Sequence, residues 1–260
     1  MRLALQLKPV TDTVWRQSET YKIRGNIWDA IKGTKYESLH DNSSIPTFVF
    51  SNVYPVNKHN TINKTIPEGT DCTVLIDSPH PSLSDIIYSY YESQKNINIG
   101  DTRYSIDNIE KRDYSVGPIG SSGKLKTPNG VYLRLPPEEQ EKYKLNKRYD
   151  DVISWTPHHG LKPFKQRIID NLKWKVDSLS IGGTKNPESF NDIFESVSFL
   201  TTFESNINVN KDYSKNFIST VCEFEYTITS KEQQMWLNTI LESGIGWRNT
   251  LGFGFTNIVK

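Results

Sequence analysis

Two cysteines in 260 residues, Cys72 and Cys222, are too few for a disulfide framework or a thiolate metal cage. Nowhere do about 18 apolar residues run together, which removes a helical membrane span. Net charge is equally scarce, since 31 Lys and Arg against 30 Asp and Glu leave only +1. Apolar residues make up just 35%, yet aromatics reach 12%, a combination that fits compact aromatic-rich layers and excludes a disordered tail. The opening run Arg2-Leu-Ala-Leu-Gln-Leu-Lys8 alternates as a strand does and lacks a signal peptide's apolar stretch. A reduced, cytoplasmic setting is therefore expected. The near-neutral charge is an average: residues 103–175 hold 15 basic and 9 acidic side chains, so a basic middle is flanked by balanced or acidic thirds.

Periodicity organises the chain into two similar halves. Leu3, Leu5 and Leu7 share one strand face, and Ile23, Ile27, Ala30 and Ile31 recur at helical spacing before Gly33. Thr47 to Tyr54 and Cys72 to Ile76 are β-branched or aromatic runs. Ser82 with Asp85 forms a capping box for a helix carrying Leu83, Ile86, Ile87, Tyr90 and Tyr91, and a weaker strand follows within Ile97 to Ile109. The turn-rich segment Ser115 to Gly130 opens a second half, with a strand expected at Val131 to Leu135. Leu161, Phe164, Ile168 and Leu172 mark its first helix, Phe190 to Phe203 and Phe217 to Thr227 two β runs, and Ser230 with Gln233 caps a second helix ending at Gly244. A last strand is expected from Phe253 to Val259. Twice over the order is βαββαβ, which predicts an α+β chain of two tandem ferredoxin-like (RRM-like) domains, residues 1–114 and 115–260.

The most specific local signal is Gly244-Ile-Gly246-Trp-Arg248-Asn-Thr-Leu-Gly252-Phe-Gly254. Glycine permits positive φ and removes side-chain bulk, so backbone N–H groups there can reach phosphate oxygens, with Arg248 adding charge. A dinucleotide fingerprint would need glycine at Asn249 and a preceding strand; a phosphate loop around Lys124 would need glycine at Pro118 and Ser or Thr at Leu125. Neither pattern is met, no His, Cys, Asp and Glu set has ligand spacing, and no cofactor or metal is expected. Ser121, Ser122, Lys124 and Lys126 form a flexible basic turn, and Lys162, Lys165 and Arg167 lead a one-sided basic helix, both suited to tracking a nucleic-acid backbone. Of the aromatics Phe48, Phe50, Phe253 and Phe255, alternation sends at least half into the core and leaves base stacking to the rest. His159 and its neighbour His158 precede the basic helix and are expected to cap it.

The spaced glycine pairs resemble the signature of the CRISPR-associated repeat-processing endoribonucleases, the Cas-six family, and in particular its archaeal members. Tyr21-Lys-Ile-Arg-Gly25-Asn-Ile-Trp28-Asp-Ala-Ile31, Leu39-His40-Asp41, Phe48-Val-Phe50-Ser-Asn52 with Tyr54-Pro55, and Trp155-Thr-Pro157-His158 agree with it, so the likeness spans nearly the whole chain. It implies metal-independent cleavage of precursor CRISPR RNA within repeats by attack of a ribose 2′-OH, leaving 2′,3′-cyclic phosphate and 5′-OH ends. His40 stands at the family's catalytic histidine, and an imidazole titrating near neutrality suits proton transfer. Trp28 stands where well-studied members carry a tyrosine, and the lysine they carry shortly after the histidine is missing between Asp41 and Thr47. Arg24, Trp28 and Lys35 are the candidates for phosphate or transition-state support. The implied partners are the repeat RNA and a multisubunit CRISPR effector complex, with no membrane. The departures keep a second reading open, that of a non-catalytic subunit binding repeat RNA within a ribonucleoprotein.

Overall fold

The computed structural model describes residues 1–14, 20–40, 47–55, 65–135, 140, 154–179, 185–210 and 213–259. The chain divides into two compact units, Met1–Ser115 with Thr250–Gly252, and Val116–Asn249 with Phe253–Lys260.

The first unit runs β1 (Arg2–Pro9), β2 (Thr13–Val14), α1 (Thr20–Ile31), β3 (Val49–Phe50), β4 (Tyr54–Pro55), β5 (Thr65–Ile66), β6 (Cys72–Asp77), α2 (Pro81–Ser93), β7 (Asn96–Ile99) and β8 (Thr102–Arg112). Its main sheet is antiparallel in the order β3-β6-β1-β8-β7, with β4 also on β6, while β2 and β5 pair as a separate ribbon. The first strand of the βαββαβ unit thus lies between the third and the fourth, as the split βαβ arrangement requires. Leu3, Leu5 and Leu7 of β1 share one core with Ile23 and Ile27 of α1 and Leu83, Ile87 and Tyr91 of α2. The alternation and the helical spacing therefore meet on one side of the sheet.

The second unit repeats the arrangement with β9 (Ser122–Lys126), α3 (Leu161–Ser178), β10 (Ser196–Asn210), β11 (Tyr213–Thr227), α4 (Lys231–Ser243) and β12 (Asn257–Val259), in sheet order β10-β11-β9-β12. Leu125, Phe164, Ile168, Phe224, Leu237 and Ile240 are all buried to 1% exposure or less. The protein is an α+β chain of two tandem ferredoxin-like domains. Cys72 and Cys222 are buried free thiols, and burial pushes Cys72 up to about 12.

Four local expectations are corrected. The second unit opens on Ser122–Lys126 and not on Val131 to Leu135: Gly123, which reads as a turn, lies against Tyr226, whose hydroxyl would be 2.6 Å from an added Cβ. Val131 to Leu135 instead touches β11 through one bridge, Val131 to Thr220. Ser82 does not cap α2, because Pro81 supplies the first helical residue, where its missing N–H is harmless, and His80 takes the cap position. The single strand expected in Ile97 to Ile109 is a hairpin, turned at Gly100 with φ +62°. Finally, positive φ at Gly252 and Gly254 keeps Phe253 to Thr256 out of the ladder and confines the last strand to Asn257–Val259.

At the start of β1, Arg2 and Asp77 are each 2% exposed and joined by Nε and Nη2 contacts of 2.8 to 3.1 Å, across the β1–β6 register. The guanidinium also covers the Tyr114 ring at 3.6 Å. Asp77→Ala should lower unfolding free energy in urea by about 3 kcal/mol, because it leaves a buried cation without its carboxylate, whereas Arg2→Met combined with Asp77→Leu should recover most of that loss.

Candidate functional site

Two groups of residues carry the chemistry read from the sequence, one in each unit. In the first, α1 places Arg24 and Trp28 one turn apart, with the guanidinium 5.8 Å from the indole ring. Trp28 also meets Phe48 edge-on at 5.2 Å, so much of its surface is spent on packing. The chain then turns at Gly33, and a short 3₁₀ turn, Glu37–His40, brings His40 to the end of the connection leaving α1. The exposed Lys35 lies with its ammonium 5.1 Å from the Tyr36 ring. Asp41 to Pro46, the segment where the expected lysine is missing, lies outside the described residues.

Sequence reasoning passed over Tyr36 here and read His80 as a solvated loop residue. The Tyr36 hydroxyl is hydrogen-bonded to the Ser82 hydroxyl, and its ring lies 6.0 Å from that of His80, the cap residue of α2. A phenol on the connection leading to His40 and an imidazole at the start of α2 are thus brought together. Lying 44 residues apart, they share no spacing signal; the packing of α1 and α2 on one core brings them together.

The glycine run, which belongs to the second unit apart from Thr250–Gly252, is a built loop. Gly244, Gly246, Gly252 and Gly254 all have φ between +69° and +91° and are all buried. An added Cβ at Gly254 would sit 1.8 Å from the Ile245 carbonyl oxygen, and one at Gly246 would sit 2.8 Å from that of Tyr132. The loop closes on itself through Ile245 N–H donating to the Gly254 carbonyl, and it docks through Trp247 N–H donating to Tyr132 and Gly254 N–H donating to Gly130. Gly244 N–H donates to Ile240 at the end of α4. The N–H groups of Gly244 and Gly254 are therefore committed inside the fold, and these glycines shape the loop. Val131 to Leu135, expected as a strand, forms the ledge on which it rests.

Lys175 fixes this loop from below. Its ammonium is fully buried and donates to the carbonyls of Ser243 (3.1 Å) and Gly244 (2.5 Å) and to Oδ1 of Asn249 (2.9 Å). Asn249 in turn donates to the carbonyls of Ile245 and Phe253, tying the two limbs together. Burial pulls the Lys175 pKa well below its ordinary value, and three acceptors at a helix C-terminus, where the dipole favours a cation, oppose that pull.

The basic turn is corrected too. Ser121 closes the turn at Pro118, Ser122 begins β9, Lys124 pairs with Glu225 at 2.6 Å, and Lys126 pairs with Glu223 at 3.0 Å, so both lysines are offset across the ladder. On α3, Lys162 is exposed, Lys165 covers the Phe190 ring, and Arg167 donates to the Arg134 carbonyl and to Asp170. Phe48, Phe50, Phe253 and Phe255 are all at most 4% exposed and belong to the core. His159 accepts from Thr156 N–H and closes a capping box before α3. Among the described residues no helix is long and apolar enough to cross a membrane.

Fold and loop together define a tandem ferredoxin-like protein with a C-terminal glycine-rich loop. The family model described as CRISPR associated protein Cas6, C-terminal, matches residues 124–258. Over its full length the chain is 31% identical to the CRISPR-associated endoribonuclease Cas6 of Haloferax mediterranei, covering 94% of that protein. It is 24% identical to the CRISPR-associated endoribonuclease Cas6 2 of Methanocaldococcus jannaschii, with 100% of both chains aligned. A solved structure described as an RAMP protein binding different RNA substrates shares the fold over 100% of both chains, with a TM-score of 0.73 at 17% identity. The chain belongs to the Cas6 family of CRISPR-associated proteins.

Two substitutions test the loop. Gly254→Ala should destabilise the protein by more than about 2 kcal/mol, since positive φ and a carbonyl in the Cβ position oppose it together. Lys175→Met keeps the volume but leaves two carbonyls and an amide without a donor; thermal unfolding should report a loss of about 3 kcal/mol.

Proposed function

We propose that this chain is a metal-independent endoribonuclease that cleaves precursor CRISPR RNA within its repeats, leaving 2′,3′-cyclic phosphate and 5′-OH ends. The observation that carries the reading is membership of the Cas6 family together with a histidine, His40, at the end of the turn that follows α1. The relatives' names supply the reaction class, and the residues here supply a mechanism for it. His40 serves as general base or acid, withdrawing the 2′-OH proton or protonating the leaving 5′ oxygen. Arg24 and Lys35 supply positive charge for the phosphorane-like transition state. Trp28 can donate a hydrogen bond but cannot exchange a proton, so proton transfer rests on His40. The RNA backbone is followed by Arg248 on the glycine loop and by Lys162, Lys165 and Arg167 on α3, with Gly244, Gly246, Gly252 and Gly254 holding the loop in shape. Lys124 and Lys126, once Glu225 and Glu223 are exchanged for phosphate, add further RNA contacts together with Ser121 and Ser122 beside them. The protein acts on repeat RNA in the cytoplasm and delivers its product to a CRISPR effector complex.

One feature favours a second reading. With Trp28 packed on Phe48 in place of a tyrosine, a subunit that binds repeat RNA without cutting it fits the same fold. Both readings meet in a single assay on repeat RNA with end-group analysis. Wild-type protein should yield cyclic-phosphate ends, His40→Ala should cut about 10²-fold to 10⁴-fold more slowly with binding retained, and excess EDTA should change nothing. Tight binding with no product even at high enzyme would establish the non-catalytic reading, and equal cutting by His40→Ala would remove His40 from the mechanism.

A further inference from the structure

Three arginines and two tryptophans of the second unit converge beside the glycine loop. Arg167 of α3 holds the Arg134 carbonyl through Nε at 3.1 Å, and its guanidinium stands 5.6 Å from the Trp247 ring centroid. Trp247 also meets Trp174, two turns further along the same face of α3, with ring centroids 5.3 Å apart. Arg248 follows at once with φ +61°, the one non-glycine residue among those described with a left-handed backbone. The Trp247 N–H bond to the Tyr132 carbonyl lays the segment that carries Arg248 against the one that carries Arg134, and desolvation and then the charge of Arg134 lower the Arg248 pKa.

Three features of this cluster are unfavourable without a ligand. Like charges are gathered, and Asp170, held by Arg167, is the only acid that pairs with any of the three among the described residues. A residue with a Cβ is kept in a conformation that suits glycine. Two buried donors, Arg134 Nε and Trp247 Nε1, have no acceptor among the described residues. A phosphodiester answers the first and the last: it is anionic, its two non-bridging oxygens match a guanidinium fork, and its further lone pairs can take the orphaned N–H groups. A flat indole at the same place offers the adjoining base a stacking partner.

We propose that Arg134, Arg167, Arg248 and Trp247 form a subsite for one backbone phosphate of the bound RNA. The proposal rests on the RNA-directed reading above and adds Arg134 and the Trp247 N–H to it. It also gives the strained backbone of Arg248 a reason, since that conformation presents the exposed guanidinium beside Arg134.

The test measures binding of a short 5′-labelled oligouridylate by fluorescence anisotropy across a salt series, alongside thermal unfolding. Arg248→Gly relieves the backbone while deleting the charge, so the melting temperature should stay or rise while binding weakens about tenfold, and the slope of log K against log salt should flatten by about 0.7. Arg134→Gln should do the same to affinity and slope, and Arg248→Lys should restore the slope with only part of the affinity. Lys231→Ala, an exposed lysine at the start of α4, should change none of these. Wild-type affinity and slope in a folded Arg248→Gly protein would overturn the subsite while leaving RNA cleavage intact. A wild-type protein that binds neither this probe nor repeat RNA at low salt would overturn the RNA reading itself, and the subsite with it.

Discussion

An ammonium sealed away from water has to find an acceptor for each of its three N–H groups, and Lys175 finds all three at the junction of α4 and the glycine loop. Two are carbonyls that the end of α4 leaves unsatisfied, and the third is the side chain of Asn249, which itself binds the carbonyls of Ile245 and Phe253. Through this one cation the end of a helix, both limbs of the loop and the interior of α3 become a single unit. The limbs are drawn so close that Gly246 and Gly254, both at positive φ, have no room for a Cβ beside Tyr132 and Ile245. Trp247 and Arg248 are then projected from a fixed base instead of a mobile tip.

What could be read from the sequence was whatever repeats. Leu3, Leu5 and Leu7, the inward faces of α1, α3 and α4, and the alternation of Cys222, Phe224 and Tyr226 give the two domains, because burial on one side of a sheet imposes periods of two and 3.6. Glycine misled in both directions. Gly123 was counted as a turn residue although its lack of a side chain serves close strand packing, and the glycines at Gly252 and Gly254 shortened a strand that Phe253 and Phe255 suggested. Lys175 shows where residue type hides geometry: it lies three residues after Leu172 and eleven after Phe164, on the buried stripe of α3, yet a lysine in an amphipathic helix reads as solvated. Asn249, noticed for spoiling a nucleotide motif, proves to be the tie that the loop needs. Of the candidate site, His40 was legible through resemblance alone and the glycine run through its own spacing as well, while the Tyr36–His80 pair depends on tertiary contacts that no local pattern encodes.

The distribution of charge carries the same lesson. Counting along the chain singles out residues 103–175 as basic, but in space much of that excess is offset or withdrawn. Lys111 meets Asp85, Arg112 meets Glu110, Lys124 meets Glu225 and Lys126 meets Glu223, while Lys175 is buried. The basic stretch from Lys142 to Arg148 lies outside the described residues. The cations that gather with a single acid among them come from three separate places: Arg134 after the first strand of the second unit, Arg167 on α3, and Arg248 from the acidic final third. A surface able to hold a polyanion is therefore a product of folding, because opposite charges in register across a ladder cancel while arginines distant in sequence accumulate. A net charge of +1 is compatible with such a surface precisely because strand pairing consumes the cations that a linear count would credit to it.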